Sequence, residues 1–519
     1  TCEALGLLLR AALPLAASRL APLPLAAVVA PPAAAMLALL FWNLEPWEVG
    51  IELAGDPSIA LPALRLLPEQ AGGLVGWAVA LAALYAAFGF ALAGRRRAGP
   101  WAWLSAGVPV VTLAILYLRL SDLTPSLSWA AAALALALIE LAAASRVRRI
   151  GGGRVPLAAY AAGTVAGLAL ACTMALEQAW LTVALAAMLP GLGLIWRRLG
   201  VPGLRTTALV LATIVASRVV LDPDAERLLG QPIPSLAWIL YGLGLPLAAF
   251  LAAGRLFARG RDDRLAQVLA TGALLLWLAL GWALARLLAA RLGDPALSSG
   301  LAEWSLHGLV WLTTGLGLLR RHRLAPWPPT LLAAAALCGL ALVVLLATVL
   351  DMNPLVTGEP VGRLPVLNAL LLAYAVPVPL LALLARELTA QGRPRPAIAA
   401  AAIAIALGLV WLGLELRHAF HGTMLTGHTG PGESWAYTAL LLLYAAALMA
   451  AGVMRGSRPL RLASLTILVL AAAKAFLVDM AHIDGLWRAA SFLGVGGCLV
   501  GIGLAYQRFV FGRRNEAMP

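Results

Sequence analysis

The chain has 519 residues, 62% of them hydrophobic and 12% charged, with a net charge of +14. Soluble domains are nearer half apolar and a quarter charged, so this balance excludes a string of soluble domains. The arginines stand in short clusters between apolar runs, without the aromatic interleaving of a nucleic-acid surface, so the positive charge does not imply a nucleic-acid partner.

In chain order, a truncated apolar run at 3–18, weakened by Arg10, precedes runs at 20–42, 72–93, 101–118, 127–145, 155–176, 178–197, 204–221 and 235–254. Further runs follow at 265–290, 302–319, 329–350, 365–385, 397–416, 434–454, 460–479 and 486–507. Most hold about 18–25 residues, enough to cross a bilayer as a helix. The expected fold is all-α: a polytopic transmembrane helical bundle of about 16–17 spans built from repeated helical hairpins. It forms a single integral-membrane domain over 1–519, within which 390–519 is a C-terminal region with its own motifs. The start at Thr1, with no methionine and no signal-peptide n-region, fits an N-terminally truncated chain. Cys2, Cys172, Cys338 and Cys498 are far apart, in or beside apolar runs, and read as small core residues.

Every second connection is rich in arginine: Arg95–Arg97, Arg146–Arg154, Arg197–Arg205, Arg255–Arg264, Arg320–Arg323, Arg386–Arg395, Arg455–Arg461 and Arg508–Arg514. The connections between them hold one basic residue or none. By the positive-inside rule the arginine loops and the C-terminus are cytoplasmic, which implies a multi-pass protein of the bacterial inner membrane in contact with its lipids. The Ala/Arg/Gly/Pro-rich, lysine-poor usage suits a GC-rich bacterial genome. Trp42, Trp129, Trp180, Trp238, Trp304, Trp435 and Trp487 lie near outer span ends, and Trp101, Trp196 and Trp327 near inner ones, as an aromatic belt requires.

The outer loops open with an acid: Asp122, Glu177, Asp222, Asp294, Asp351, Glu415 and Asp479. Several follow a basic residue about one turn earlier, namely Arg119, Arg218, Arg291 and Lys474, and an acid at a helix C-terminus opposes the helix dipole. The following helix repeats a tyrosine, as in Pro234-Ser-Leu-Ala-Trp-Ile-Leu-Tyr241, in the segment ending at Tyr374, and in Glu433-Ser-Trp-Ala-Tyr-Thr-Ala-Leu-Leu-Leu-Leu-Tyr444. The repeat reads as a helical hairpin with its tip outside.

Near the C-terminus the residues carry a recognisable pattern. It runs Arg461-Leu-Ala-Ser-Leu, Ala473-Lys-Ala-Phe-Leu-Val-Asp479, Gly485-Leu-Trp-Arg-Ala-Ala-Ser-Phe-Leu-Gly494 and Gly501-Ile-Gly-Leu-Ala-Tyr-Gln-Arg508. Glu415-Leu-Arg-His-Ala-Phe-His-Gly422 precedes it. The pattern resembles a bacterial multi-spanning membrane-protein family catalogued as domain of unknown function two-three-three-nine. The resemblance implies a polytopic membrane protein, with members that carry a longer polar or coiled N-terminal region. It implies no activity.

Lys474 is the one lysine of the chain and lies inside an apolar run. Together with Asp479, Asp484, Arg488 and Ser491 it suggests three readings: an ion-pair clamp between two helices, a site for an anion or lipid headgroup, and a proton relay. Arg417, His418, His421 and His428 lie between Glu415 and Glu433, and a polar interfacial loop is the default there. A metal would need a third placed ligand, and none is expected. Glu140 and Arg286 are the remaining deep charges. Pro377 and Pro379 interrupt one span, where a kink is expected. The outer loop 43–71 carries Glu45, Glu48, Glu52 and Asp56 without a specific paired-acid motif.

No P-loop, nucleophile elbow, zinc-protease or dinucleotide motif is present, so no cofactor is implied and the chain does not read as an enzyme. Repeats and deep charges favour an envelope transporter or flippase-like protein. A membrane enzyme acting on lipid-linked glycans and a non-catalytic envelope scaffold are the alternatives. Protein partners and oligomeric state have no signature in the sequence. Reporter fusions after Arg97, Arg264 and Arg514 are expected to read cytoplasmic, and fusions at Asp224 or Pro431 periplasmic. A periplasmic signal at Arg514 would overturn the orientation.

Overall fold

The computed structural model describes residues 25–479 except 43–45, 53–59, 67, 93–98, 122–123, 152, 177, 201–202, 222–234, 259–263 and 293–299, together with 493, 496–497 and 500. Its helices are α1 (Leu25–Leu40), α2 (Pro68–Leu92), α3 (Gly99–Leu120), α4 (Leu127–Arg149), α5 (Arg154–Ala175), α6 (Gln178–Leu199) and α7 (Gly203–Leu221). There follow α8 (Leu236–Phe257), α9 (Arg264–Leu292), α10 (Leu301–Leu324), α11 (Pro328–Leu350), α12 (Leu371–Ala390), α13 (Pro394–His421), α14 (Pro431–Met454) and α15 (Arg458–Asp479). Every expected span from 20–42 to 460–479 therefore has its helix, while the truncated run at 3–18 lies outside the described residues. Among the described residues, 12 helices are long and apolar enough to cross a membrane. The last expected span, 486–507, falls largely outside the described residues.

The all-α expectation holds for the spans, with one addition. The long acidic connection after α1 contains an antiparallel pair, β1 (Pro46–Glu52) and β2 (Ala60–Leu66), in which Val49 pairs with Ala63. Glu48 and Glu52 lie on β1; Glu45 and Asp56 fall outside the described residues.

The helices are apolar on the outside as well as inside. Ile139 of α4 is 64% exposed, Val343 of α11 64% and Leu443 of α14 70%. An all-round apolar helix needs a hydrocarbon surround, not water.

The chain divides into two compact units, residues 1–280 and 281–519. In the first, Val28, Ala35 and Leu39 of α1 pack on Leu74, Leu81 and Tyr85 of α2 and on Trp101, Val108 and Ile115 of α3. In the second, Leu312 and Leu316 of α10, Ala341 of α11, Tyr374 and Leu381 of α12 and Leu407 and Leu414 of α13 share one core.

Sequence reasoning placed the hairpin tips at the Arg-poor connections. The structure places the closest packing on the other side. The pairs α2/α3, α4/α5, α10/α11, α12/α13 and α14/α15, each joined through an arginine loop, pack most extensively. Small residues explain four of them. A Cβ on Gly167 of α5 would come within 3.1 Å of the Ala137 backbone of α4, and one on Gly315 of α10 within 2.7 Å of Cys338 Sγ of α11. Gly89 against α3 and Gly452 against α15 do the same. With no hydrophobic driving force between helices in lipid, close backbone approach supplies the contact.

The repeated tyrosines tie helices together. Tyr374 Oη donates to the Thr348 carbonyl of α11 at 2.6 Å, and Tyr444 Oη to the Ile405 carbonyl of α13 at 2.8 Å. Tyr241 stacks on Trp180 with ring centroids 4.9 Å apart. Tyr241 and Tyr374 sit in π-helical turns, Leu240–Gly244 and Leu371–Ala375. At Pro377, where the sequence suggests a kink, the structure shows a π-turn. Pro377 cannot donate, and the wide turn ends immediately before it at Val376, whose N–H bonds the Leu371 carbonyl at 2.9 Å. The span expected from 365 begins as irregular chain, and its helix starts only at about Ala369.

Tyr374→Phe should lower the stability in detergent by about 1 kcal/mol, because it leaves a buried carbonyl without its donor. Tyr444→Phe, at a half-buried position, should cost less. Thermal unfolding reads both; parent-like melting of Tyr374→Phe would show that this bond contributes nothing.

Candidate functional site

Four clusters of polar side chains stand at the Arg-poor ends of helices in the second unit. The first turns of α14 hold two of the clusters. Pro431 opens this helix, and Glu433 in its first turn suits the positive end of the helix dipole. Glu433 and its neighbour Ser434 serve different networks.

Glu433 meets Arg417 of α13, a buried guanidinium. Arg417 Nη1 donates to Glu433 Oε1 at 2.8 Å and to Thr429 Oγ1 at 3.0 Å. Its Nε donates to the Leu425 carbonyl at 2.5 Å and its Nη2 to the Gly427 carbonyl at 2.6 Å. The 422–430 loop is thus wound around one cation. Gly427, at φ 146°, supplies a conformation other residues rarely adopt. His421 Nε2 lies 2.9 Å from Glu433 Oε2, and Tyr437 Oη donates to Oε1 at 3.3 Å.

Ser434 faces α15. Lys474 Nζ donates to Asp479 Oδ1 at 2.7 Å, to Thr438 Oγ1 at 2.8 Å and to the Ser434 carbonyl at 2.7 Å. Asp479 also accepts from Ser434 Oγ at 2.8 Å and Thr438 Oγ1 at 2.5 Å. Residues i and i+5 point well apart on a regular α-helix. Here the π-turn Ala475–Asp479 widens the last turn and brings lysine and acid together.

A third cluster shapes the entry to α12. Glu415 Oε1 accepts from Asn368 Nδ2 at 2.9 Å and its Oε2 from the Val366 amide at 3.2 Å. Asn368 Oδ1 in turn caps the helix by accepting from the amides of Leu370 and Leu371. Val366 has φ 67°, and the Leu367 amide bonds the Pro365 carbonyl at 2.8 Å. That is a γ-turn of the strained type, rare for a β-branched residue. His418 Nε2 lies 3.0 Å from the Gly362 carbonyl in the same segment.

The fourth cluster joins α9 to α10. Arg286 Nε lies 3.2 Å from Glu303 Oε1, and His307 Nε2 3.6 Å from the same oxygen. Trp282 stacks on His307 with centroids 3.8 Å apart, and Trp304 and Trp311 close the surround. All three ionisable residues are buried. Four buried polar atoms here have no hydrogen-bond partner: Glu303 Oε2, His307 Nδ1 and Nε2, and Trp282 Nε1. This sets the cluster apart from those around Arg417 and Lys474.

At the arginine-rich ends, Glu387 of α12 takes Arg323 Nε at 2.7 Å. Between α10, α11, α12 and α13 lies a cavity of about 300 Å³ with walls such as Leu312, Leu342, Leu381 and Ile403, and Arg393 at its margin.

Of the residues singled out in the sequence, Lys474 and Asp479 meet as an ion pair, whereas Asp484, Arg488 and Ser491 lie outside the described residues. Glu415, Arg417, His418, His421 and Glu433 are all bound, in two networks; His428 is exposed. Arg119 and Arg218 turn to other partners, the Trp42 carbonyl and Thr182, while their acids Asp122 and Asp222 lie outside the described residues. Sequence reasoning missed Glu303, His307, Asn368, Ser434 and Thr438. Glu303 and His307 did carry a signal, since an acid and a histidine at i,i+4 near the start of an apolar run share one helix face.

The family described as Predicted membrane protein (DUF2339) matches residues 4–509, so the chain belongs to that family. No curated protein and no solved structure matches it.

Breaking a buried pair costs about 3–5 kcal/mol because the surviving charge is stranded. Arg417→Ala should therefore be the most destabilising substitution in this region. Lys474→Ala, where the lysine side chain is 21% exposed, should cost less, on the order of 1.5–3 kcal/mol, with Asp479→Asn alongside it and Lys474→Arg milder. Thermal unfolding in detergent gives the ranking. A parent-like melt for Lys474→Ala would remove its structural role.

Proposed function

We propose that this DUF2339 protein is an envelope transport protein of the flippase-like class. It stands in the bacterial inner membrane with its C-terminus in the cytoplasm and takes the hydroxyl-rich headgroup of an envelope amphiphile at the periplasmic ends of α9 and α10. The observation that carries the proposal is the Arg286–Glu303–His307 cluster. Buried polar groups in proteins are ordinarily bonded, and an exception calls for an explanation. Ionisable groups inside membrane spans are functional candidates by default.

The chemistry of the cluster suits such a headgroup. Glu303 Oε2 accepts, Trp282 Nε1 donates, and a neutral imidazole both accepts and donates. Hydroxyls match that mixture. Indole rings offer flat apolar faces to a sugar ring or a glycerol backbone. The same helix α10 lines the apolar cavity farther along through Leu312 and Leu319, which suits the tail of an amphiphile.

The scaffold reading draws on different residues. Arg417 and Lys474 are bonded within the protein and close the ends of α13, α14 and α15 without a ligand. We assign them to the frame that holds the site.

The two roles separate experimentally. His307→Leu replaces polar atoms that have no hydrogen-bond partner by an apolar side chain, so it should keep or raise the melting temperature in detergent, whereas Trp282→Phe also gives up ring volume and stacking on His307 and should lower it slightly. Both should nevertheless fail to restore the lipid and envelope-glycan profile of a deletion strain that the parent gene restores. Full restoration by both variants would overturn the headgroup site.

A further inference from the structure

The first unit holds a second polar cluster of another kind. Glu140 is on α4, in the half of the helix nearer the arginines Arg146, Arg148 and Arg149, and is 4% exposed. Its Oε2 has no hydrogen-bond partner. It lies over Gly163 of α5, where a Cβ would come within 2.9 Å of Oε2 and within 3.1 Å of Ala106 Cβ on α3. The missing side chain at 163 leaves the slot that the carboxyl fills. One turn earlier on α5, Tyr160 is 1% exposed and its Oη is likewise without a partner. Its phenol lies beside Ser105 and Glu140. Ser105 itself donates to the Ala86 carbonyl at 2.8 Å.

No described cation pairs with Glu140. On α3, Arg119 is committed to the Trp42 carbonyl at 2.7 Å. On α5, Arg154 is exposed at the helix start, nine residues before Gly163. The arginines of α4 itself begin six residues beyond, at Arg146. Tyr160 is the titratable group that faces the carboxyl. A bound metal ion needs several oxygens around it, and Ser105 is already spent on a carbonyl. A proton needs only one oxygen, and it removes the charge that makes an unpaired carboxylate so costly in an apolar interior.

We propose that Glu140 is a proton-binding site of the first unit, a carboxyl that gains and loses a proton inside the bundle with the Tyr160 hydroxyl beside it. Uptake forms one O–H bond at the carboxyl and cancels one negative charge; release returns the proton to water, and nothing is oxidised or reduced. Gly163 is a positioning residue because its missing side chain gives the carboxyl its place. The inference is independent of the headgroup site, which lies on other helices and in the other unit.

The test is covalent labelling of the purified full chain in detergent with N,N′-dicyclohexylcarbodiimide, an apolar reagent. A protonated carboxyl adds across its N=C=N group without a leaving group, and the adduct rearranges to a stable acylurea. Peptide mass spectrometry is expected to find that adduct at Glu140, at least tenfold above labelling by a water-soluble carbodiimide. The yield should fall about tenfold per pH unit once the acid ionises. Gly163→Ala should reduce labelling, and Tyr160→Phe should shift its pH profile. The parent carries the main result, so the proposal stays testable even if Glu140→Gln does not fold. Absence of the adduct at Glu140, equal labelling by both reagents, or a yield independent of pH would each overturn the proposal.

Discussion

Within a bilayer, a polar atom that the protein does not satisfy goes unsatisfied. That constraint explains most of what is specific about this chain. Its helices are apolar on every face, so hydrophobicity alone does not say which faces meet. Glycines such as Gly167 and Gly315 and the few polar side chains make the choice. Ser105 reaches the Ala86 carbonyl, Ser464 the Ala445 carbonyl and Tyr374 the Thr348 carbonyl. Each such bond fixes the rotation of one helix against another, a specification that leucine on leucine leaves loose.

The same constraint accounts for the irregular turns. Between Lys474 and Asp479 there are four residues, one too many for a regular helical pair. The helix widens to a π-turn there, and both charges are satisfied. At Val366 the backbone accepts a strained γ-turn, held by the Glu415 carboxylate through the Val366 amide and Asn368. Strain of this sort persists only where surrounding bonds over-determine it. In both places local backbone cost is outweighed by the larger cost of a stranded charge.

The spans were legible in the sequence because their signal is additive: about 20 apolar residues leave little alternative to a membrane helix. Lys474 and Asp479 were legible because a lone lysine in an apolar run demands a partner. Ser434 and Thr438, which complete that network, were not, because a serine or threonine in a membrane helix can bond its own backbone one turn back. Thr313 and Thr389 do just that. The pairing of helices through the arginine loops was misjudged. The repeated acids and tyrosines lie at the opposite ends, whereas the small residues that decide the pairing are spread thinly along each helix. Glu303 and His307 stand near the start of their apolar run, where polar residues mark the membrane interface of any span.

Satisfied and unsatisfied polar atoms divide the molecule by role. Arg417 makes four hydrogen-bonded contacts and Lys474 reaches an acid, a hydroxyl and a carbonyl, so a ligand would have to break bonds to engage either. At Glu303, His307 and Trp282 a ligand would break none, because the atoms in question have no partner to lose. Glu140 differs again: no described cation pairs with it, and a proton, which needs only one oxygen, cancels its charge. A stability-optimised bundle would replace such groups with apolar ones of similar volume, since proteins generally carry partnerless polar atoms at a cost in stability. Among the described residues these are the two places where a buried carboxylate oxygen lacks a hydrogen-bond partner, which is the physical ground for placing function there and structure elsewhere.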